Sequence, residues 1–227
     1  MSERLTQIQR GIRESLPLFV PAMPFALVFG VVVSESGISP WLGWSTSPIM
    51  FSGAAQITLL SLLGEGASVA AAVTAALIVG ARHLLYSVTL APRFQDQPRW
   101  FRWLGPYVLI DQVFALAMLR RDQDPAAFRV YFLSAGFTFW SLWLLCTAAG
   151  LFIGPLVPSA WGLAFAAPVL FTALLVTAID RWEKLAVALS AGLLTALFAG
   201  LPNRSGLLLG ALLGVLLGLL LEARRRS

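Results

Sequence analysis

A guanidinium, an imidazole and a carboxylate stand inside otherwise apolar stretches of this 227-residue chain, at Arg82, His83 and Asp111. A charge at the centre of a bilayer costs about 2.5–3.5 kcal/mol on insertion scales, so such a side chain is kept there for function or for a partner. Arg82 can donate to a carboxylate, Asp111 can accept from an ammonium, and His83 can carry a proton near neutral pH. Tyr86 follows Arg82 by four residues and His83 by three, on or beside the same helical face, and Tyr107 precedes Asp111 by four. Gln56 and Gln112 add neutral donors and acceptors. With apolar wall around them, these groups form the lining that a small zwitterionic amino acid needs. A second reading stands beside this one: Arg82 and Asp111 pair only to order the helices, and His83 is a hydrogen-bonded structural group. No nucleophile and base at recognisable spacing, no metal-ligand cluster and no glycine-rich phosphate loop is present, so neither enzymatic chemistry nor a metal or cofactor is expected.

The elements that carry these groups belong to a membrane. Hydrophobic residues make up 58% of the chain and charged ones 12%, too little polar surface to coat a soluble domain of this size. The net charge of +5 would suggest nucleic acid in a soluble protein. Here the arginines flank apolar runs and read as topology signals instead, so no nucleic acid is expected. The single cysteine, Cys146, lies in an apolar stretch, where it reads as a small buried hydrophobe, and it rules out a disulfide framework.

Glycines, prolines and charges divide the apolar mass into eight candidate helices: 16–34, 41–63, 68–91, 104–119, 130–153, 162–179, 185–200 and 206–221. The expected fold is all-α, one polytopic membrane bundle of seven or eight helices occupying residues 1–227. Residues 1–15, with Leu5, Ile8 and Ile12 at helical spacing, read as an amphipathic cytoplasmic helix with no cleaved signal, and 222–227 as a basic cytoplasmic tail. With the N-terminus inside, Arg4, Arg10, Arg13, Arg120, Arg121, Arg129, Arg181, Lys184 and Arg224–Arg226 are cytoplasmic. Arg93, Arg99, Arg102 and Arg204 then fall outside. The balance places both termini in the cytoplasm, and the 93–102 loop argues locally against it. Trp41, Trp44, Trp100, Trp103, Trp161 and Trp182 sit near predicted span ends, where indoles anchor at the lipid headgroups.

Three helices are expected to be broken. Pro17, Pro21 and Pro24 crowd the first; Ser45, Thr46, Ser47, Pro48, Ser52, Gly53 and Gln56 interrupt the second; Pro168 interrupts the sixth. Unsatisfied backbone at membrane depth is tolerated where protein or a water-filled cavity covers it, which suits a substrate cavity; kinking and close packing through small residues is the alternative. The five-span offset between the first and sixth helices gives them opposite directions, so an inverted repeat is conceivable, with its site near the midplane. Gly206, Gly210, Gly214 and Gly218 form a small-residue ridge for close packing, within the chain or against another subunit.

These motifs together resemble the AzlC-type branched-chain amino acid permeases, the large subunit of a two-component bacterial exporter. The resemblance rests on Pro21 with Pro24-Phe25 and Gly30; Ser52-Gly53-Ala54-Ala55-Gln56; Arg82-His83-Leu84-Leu85-Tyr86; Asp111 with Phe114-Ala115; and Gly162 to Pro168 with Phe171. It implies outward transport of valine, leucine, isoleucine or similar amino acids across the bacterial inner membrane. It also implies a small hydrophobic AzlD-type membrane partner of about four spans. The chain departs from the family at Gly80, where asparagine is common, and at Gln112 and Ala164, where acidic residues are common. Two carboxylates are thereby missing, which bears on coupling ion and substrate.

The expected mechanism is alternating access around a midplane site, with Arg82, Asp111, Gln56 and Tyr86 contacting substrate, His83 and Asp111 carrying a coupling proton, and Pro21, Pro24, Gly53 and Pro168 marking the helix breaks. A channel for small solutes, and a scaffold without its own substrate site, are the alternatives from other functional classes.

Overall fold

The structure is a computed structural model that describes residues 2–156, 172, 176, 179, 181–201 and 205–226. Among these residues every regular element is helical. Pro168, the sixth apolar run around it and the repeat it would have completed lie outside the described residues.

The chain opens with α1 (Ser2–Phe19), a 3-10 turn at Val20–Ala22 and α2 (Met23–Glu35), which follow one another as a single rod. The expected break at Pro21 and Pro24 takes the form of this turn. Proline removes backbone donors, and the Met23 N–H bonds to the Val20 carbonyl to tighten the backbone without unwinding it. Residues 1–15 accordingly do not form a separate surface helix. They continue the rod, with Leu5 and Leu16 exposed outward and Ser15 fully buried. Gly11 lies against the Tyr131 carbonyl. The inward line of this helix is Gly11, Ser15 and Phe19, and Arg4, Arg10 and Arg13 are exposed near its start.

The second apolar run does not cross. Its two pieces, α3 (Pro40–Ile49) and α4 (Gly53–Gly64), are separated by extended backbone at Met50 and Ser52. Gly64, at the end of α4, lies against the Ser36 carbonyl, just before α3 begins. The two helices are therefore a hairpin that enters and leaves at one end. At ten and twelve residues each is about 15–18 Å long, half of a hydrocarbon core about 30 Å thick.

Next, α5 (Val69–Gly80) and α6 (Arg82–Gln95) cross as one span bent by 42° at Ala81. The fourth run then doubles back like the second: α7 (Arg99–Leu104) and a 3-10 turn at Gly105–Val108 lead inward, and α8 (Asp111–Met118) leads out again. Leu109 and Ile110 between them are extended. Both feet of this second hairpin stand on the first turns of α9 (Pro125–Ile153). The Gln97 side chain donates to the Pro125 carbonyl at 3.0 Å, and Arg120 lies over the Tyr131 ring. Its tip reaches deeper, with Val108 against Gly136 and Tyr107 bonded to Trp140.

The bundle up to residue 156 thus consists of three crossings and two hairpins inserted from opposite ends. The second and fourth of the expected helices are each folded double, because an apolar run of such length can turn back about a proline and a glycine. Helix α9 is the axis, and Asp124 caps it by accepting from the Ala126 and Ala127 N–H groups at 2.9 and 3.2 Å. It crosses α2 at backbone contact, since a Cβ on Gly30 would collide with the Thr147 carbonyl and one on Gly150 with that of Leu27. Phe19, Phe29, Phe139 and Trp143 fill the space around this crossing. Leu77 and Val88 are about 70% exposed, faces for lipid or another membrane helix to cover.

The topology also redistributes charge. Arg4, Arg10, Arg13, Arg93, Arg99, Arg102, Arg120, Arg121 and Arg129 all belong to the N-terminal end of the bundle, and no lysine or arginine among residues 2–156 belongs to the opposite end. The conflict raised by the 93–102 loop disappears, because that loop and the N-terminus share an end. Further along the chain, α10 (Trp182–Leu197) and α11 (Ser205–Arg226) pair closely. Gly206, Gly210 and Gly214 lie against Phe198, Thr195 and Ala191, so the glycine ridge packs within the chain.

Candidate functional site

The two hairpin tips meet at the level of the middle of α9. Tyr107, on the second tip, donates its hydroxyl hydrogen to the Pro48 carbonyl on the first and accepts from the Trp140 indole N–H at 2.7 Å. Beside this junction lies a cavity of about 430 Å³, within the range of small-molecule sites. Leu18, Phe25, Phe51, Phe139, Trp143 and Ile110 give it an apolar wall, and Ser52, Arg82, His83, Asp111 and Gln112 a polar one.

Arg82 and Asp111 form an ion pair, Nη1 to Oδ2 at 3.0 Å, and each side chain is about two-fifths exposed. The other carboxylate oxygen accepts from the Tyr86 hydroxyl at 2.7 Å, and the Tyr86 ring is stacked on Phe114 at 4.6 Å. Asp111 opens α8, where the helix dipole favours a carboxylate. Arg82 opens α6, where the dipole opposes a cation, and Asp111 offsets that cost. The bend in α5–α6 falls at Ala81, directly before Arg82.

His83 answers the same bend. Its Nδ1 lies 2.9 Å from the Gly80 carbonyl oxygen, so Nδ1 carries the hydrogen and donates to the carbonyl at the break. The ring meets Tyr86 edge to face at 5.8 Å and also lines the cavity.

Of the residues expected to contact substrate, Arg82 and Asp111 line the cavity, whereas Gln56 and Tyr86 stand behind its wall. Gln56 is fully buried and donates to the Thr46 and Ser47 hydroxyls at 3.0 and 3.1 Å, fastening the arms of the first hairpin together. Tyr86 holds Asp111. Among the expected break positions, Pro21 and Gly53 line the cavity and Pro24 does not. A Cβ on Gly53 would come within 2.6 Å of the Phe25 and Trp143 rings, so this glycine is where the tip of the first hairpin presses against α2 and α9.

Sequence reasoning missed the wall formed by Phe25, Phe51, Ile110 and Trp143. Trp143 carried a signal, because an indole at the middle of a span is out of place there unless its N–H has a use. The other three are indistinguishable in sequence from ordinary core residues.

Comparison with known proteins agrees with the resemblance. Residues 17–157 match the family described as AzlC protein. The chain is 30% identical to the inner membrane protein YgaZ of Escherichia coli over 186 residues, 78% of this chain and 75% of that one. It is 27% identical to an uncharacterized membrane protein of Archaeoglobus fulgidus, over 64% of this chain and 62% of the relative. A membrane protein of Helicobacter pylori is 23% identical over 68% of this chain and 67% of its own length. No solved structure matches.

Proposed function

The chain belongs to the AzlC family of membrane proteins, and from that premise we propose that it exports amino acids, branched-chain ones above all, across the bacterial cytoplasmic membrane. It acts as the large subunit of a complex with a small AzlD-type membrane partner. The observation that carries this reading is the Arg82–Asp111 pair, open to a mid-depth cavity whose remaining wall is apolar. A zwitterion with an aliphatic side chain is the small solute for which one charged side and one apolar side are both needed.

The hairpins supply the logic of alternating access. Each reaches to mid-depth from one end, so the tip of one closes the cavity toward that end and the tip of the other closes it toward the opposite end. Substrate admitted past one hairpin is released past the other. His83 and Asp111 are the groups available to couple this cycle to protons, His83 through the bend it caps and Asp111 through its pairing. The arginines gathered at the N-terminal end support placing that end in the cytoplasm.

Efflux from preloaded cells that express the chain with its partner tests the reading. Loss of leucine, valine, isoleucine or methionine that shows counterflow, and that falls more than tenfold in Asp111→Asn and Arg82→Gln at unchanged membrane abundance, is expected. Flux without counterflow would identify a channel, and efflux indifferent to both substitutions would remove the pair from the site.

A further inference from the structure

We infer that the substrate carboxylate is bound at the first turn of α4, with Ser52 as its hydroxyl donor, and that an amino acid in the cavity therefore bridges the two hairpins. The inference deepens the reading of the cavity as an amino acid site and rests on it.

The first backbone bond of α4 runs from the Gln56 N–H to the Ser52 carbonyl at 2.9 Å, so the amides of Gly53, Ala54 and Ala55 precede any intrahelical acceptor. Ser52 occupies the capping position, yet its side chain makes no cap bond. It is 8% exposed, and its Oγ has no hydrogen-bond partner among the described residues. Trp143, whose ring touches the Gly53 position, is as deeply buried, and its indole N–H is likewise without a partner. Ser52, Gly53, Ala54 and Trp143 all line the cavity.

This corner is therefore rich in donors and short of acceptors, at the positive end of a helix dipole. An anion with two acceptor oxygens is its complement. Arg82 is engaged through Nη1 by Asp111, whose other oxygen accepts from Tyr86. Its Nε is a further buried donor without a partner among the described residues, which makes Arg82 the competing carboxylate donor that the test must separate. The remaining lone pairs of Asp111 suit an ammonium. Carboxylate and ammonium then fall to different hairpins, the first at α4 and the second at α8. Occupancy ties the tips together in the way that Tyr107 ties them at its contact with Pro48.

Equilibrium binding to the full chain and its partner in lipid nanodiscs tests this with three probes. These are leucine, 4-methylpentanoate, which lacks the amine, and 3-methylbutylamine, which lacks the carboxylate. Ser52→Ala removes no cap bond and is expected to weaken leucine and 4-methylpentanoate about tenfold, leaving 3-methylbutylamine unchanged. An equal loss for the amine, no loss for either carboxylate, or a carboxylate dependence that follows Arg82→Gln instead would overturn the assignment. Failure of both carboxylates to bind the unaltered protein would overturn it as well. If 4-methylpentanoate binds through Ser52 and leucine does not bind, the carboxylate site stands and the amino acid reading falls.

Discussion

The hairpin α3–α4 and the hairpin α7–α8 solve the same problem with opposite means. The first is fastened from within, by Gln56 reaching across to Thr46 and Ser47 close to the tip. At its feet Gly64 packs on the Ser36 carbonyl, backbone against backbone. The second is fastened from without. Arg93 donates to the Gln123 carbonyl, Arg129 to the Gln97 side chain at 2.9 Å, and Arg120 to Glu14, which also accepts from Tyr131 at 2.6 Å. Arg93 and Arg129 further lie over Phe128 and Trp100. The difference teaches which one can travel. A hairpin clamped internally moves as a unit once the Trp44 bond to Thr147 on α9 is released, whereas one whose feet are bound to α1 and α9 holds its place while its tip adjusts.

The sharpest way to break this contrast is at the feet of the second hairpin. Glu14→Ala strands the Arg120 guanidinium and the fully buried Tyr131 hydroxyl together, and an expected loss of about 3 kcal/mol is readable in thermal or denaturant unfolding of the detergent-solubilised protein. Arg121→Ala, from a pair that is nearly all exposed, is the internal control and should leave unfolding unchanged.

Inside the first hairpin, Gln56→Leu leaves the buried Ser47 hydroxyl and the half-buried Thr46 hydroxyl without their donor, and about 2 kcal/mol is expected. Its signature is local. Hydrogen exchange should rise across 46–56 and stay level across 99–118; a uniform rise would show that the arms do not depend on this clamp.

The smallest expected effect lies at the junction. Tyr107→Phe removes the bond to Pro48 and the acceptor for Trp140, costing about 1 kcal/mol. Because the tips are then joined only by packing, labelling of a cysteine placed at Ala54 by a membrane-impermeant thiol reagent should speed up. If labelling is unchanged, the junction is not what keeps the tips together.

The charged centre was legible in sequence because charge in lipid is costly wherever it stands. Arg82 and Asp111 announce themselves by type. Their pairing was expected between crossing helices, and the fold replaces that premise: Asp111 is at mid-depth because α8 starts there, not because a crossing passes through. Hydropathy cannot separate twenty apolar residues laid straight from ten and ten laid double. The distribution of arginine could have, since Arg93, Arg99 and Arg102 contradicted a crossing at 104–119. The glycine ridge of α11 was legible because small residues four apart have few other uses. The apolar wall of the cavity was not, because a phenylalanine facing a substrate and one facing another helix are the same letter.

The internal fastening of the first hairpin has a consequence for how the chain is made. Trp44 donates its indole hydrogen to the Thr147 hydroxyl across 103 residues of sequence at 3.1 Å, and the tip at Ser52 and Gly53 rests on Trp143. At translation rates of about 5–20 residues per second, these partners leave the ribosome roughly 5 to 20 s later. For that interval the half-length hairpin leans on α2 and α5 alone, with Gly43 on Val33 and Leu62 against Ala72 and Ala75, while the side that α9 will cover stays open. The central helix, synthesised late, is therefore what closes the cavity around the first half of the chain.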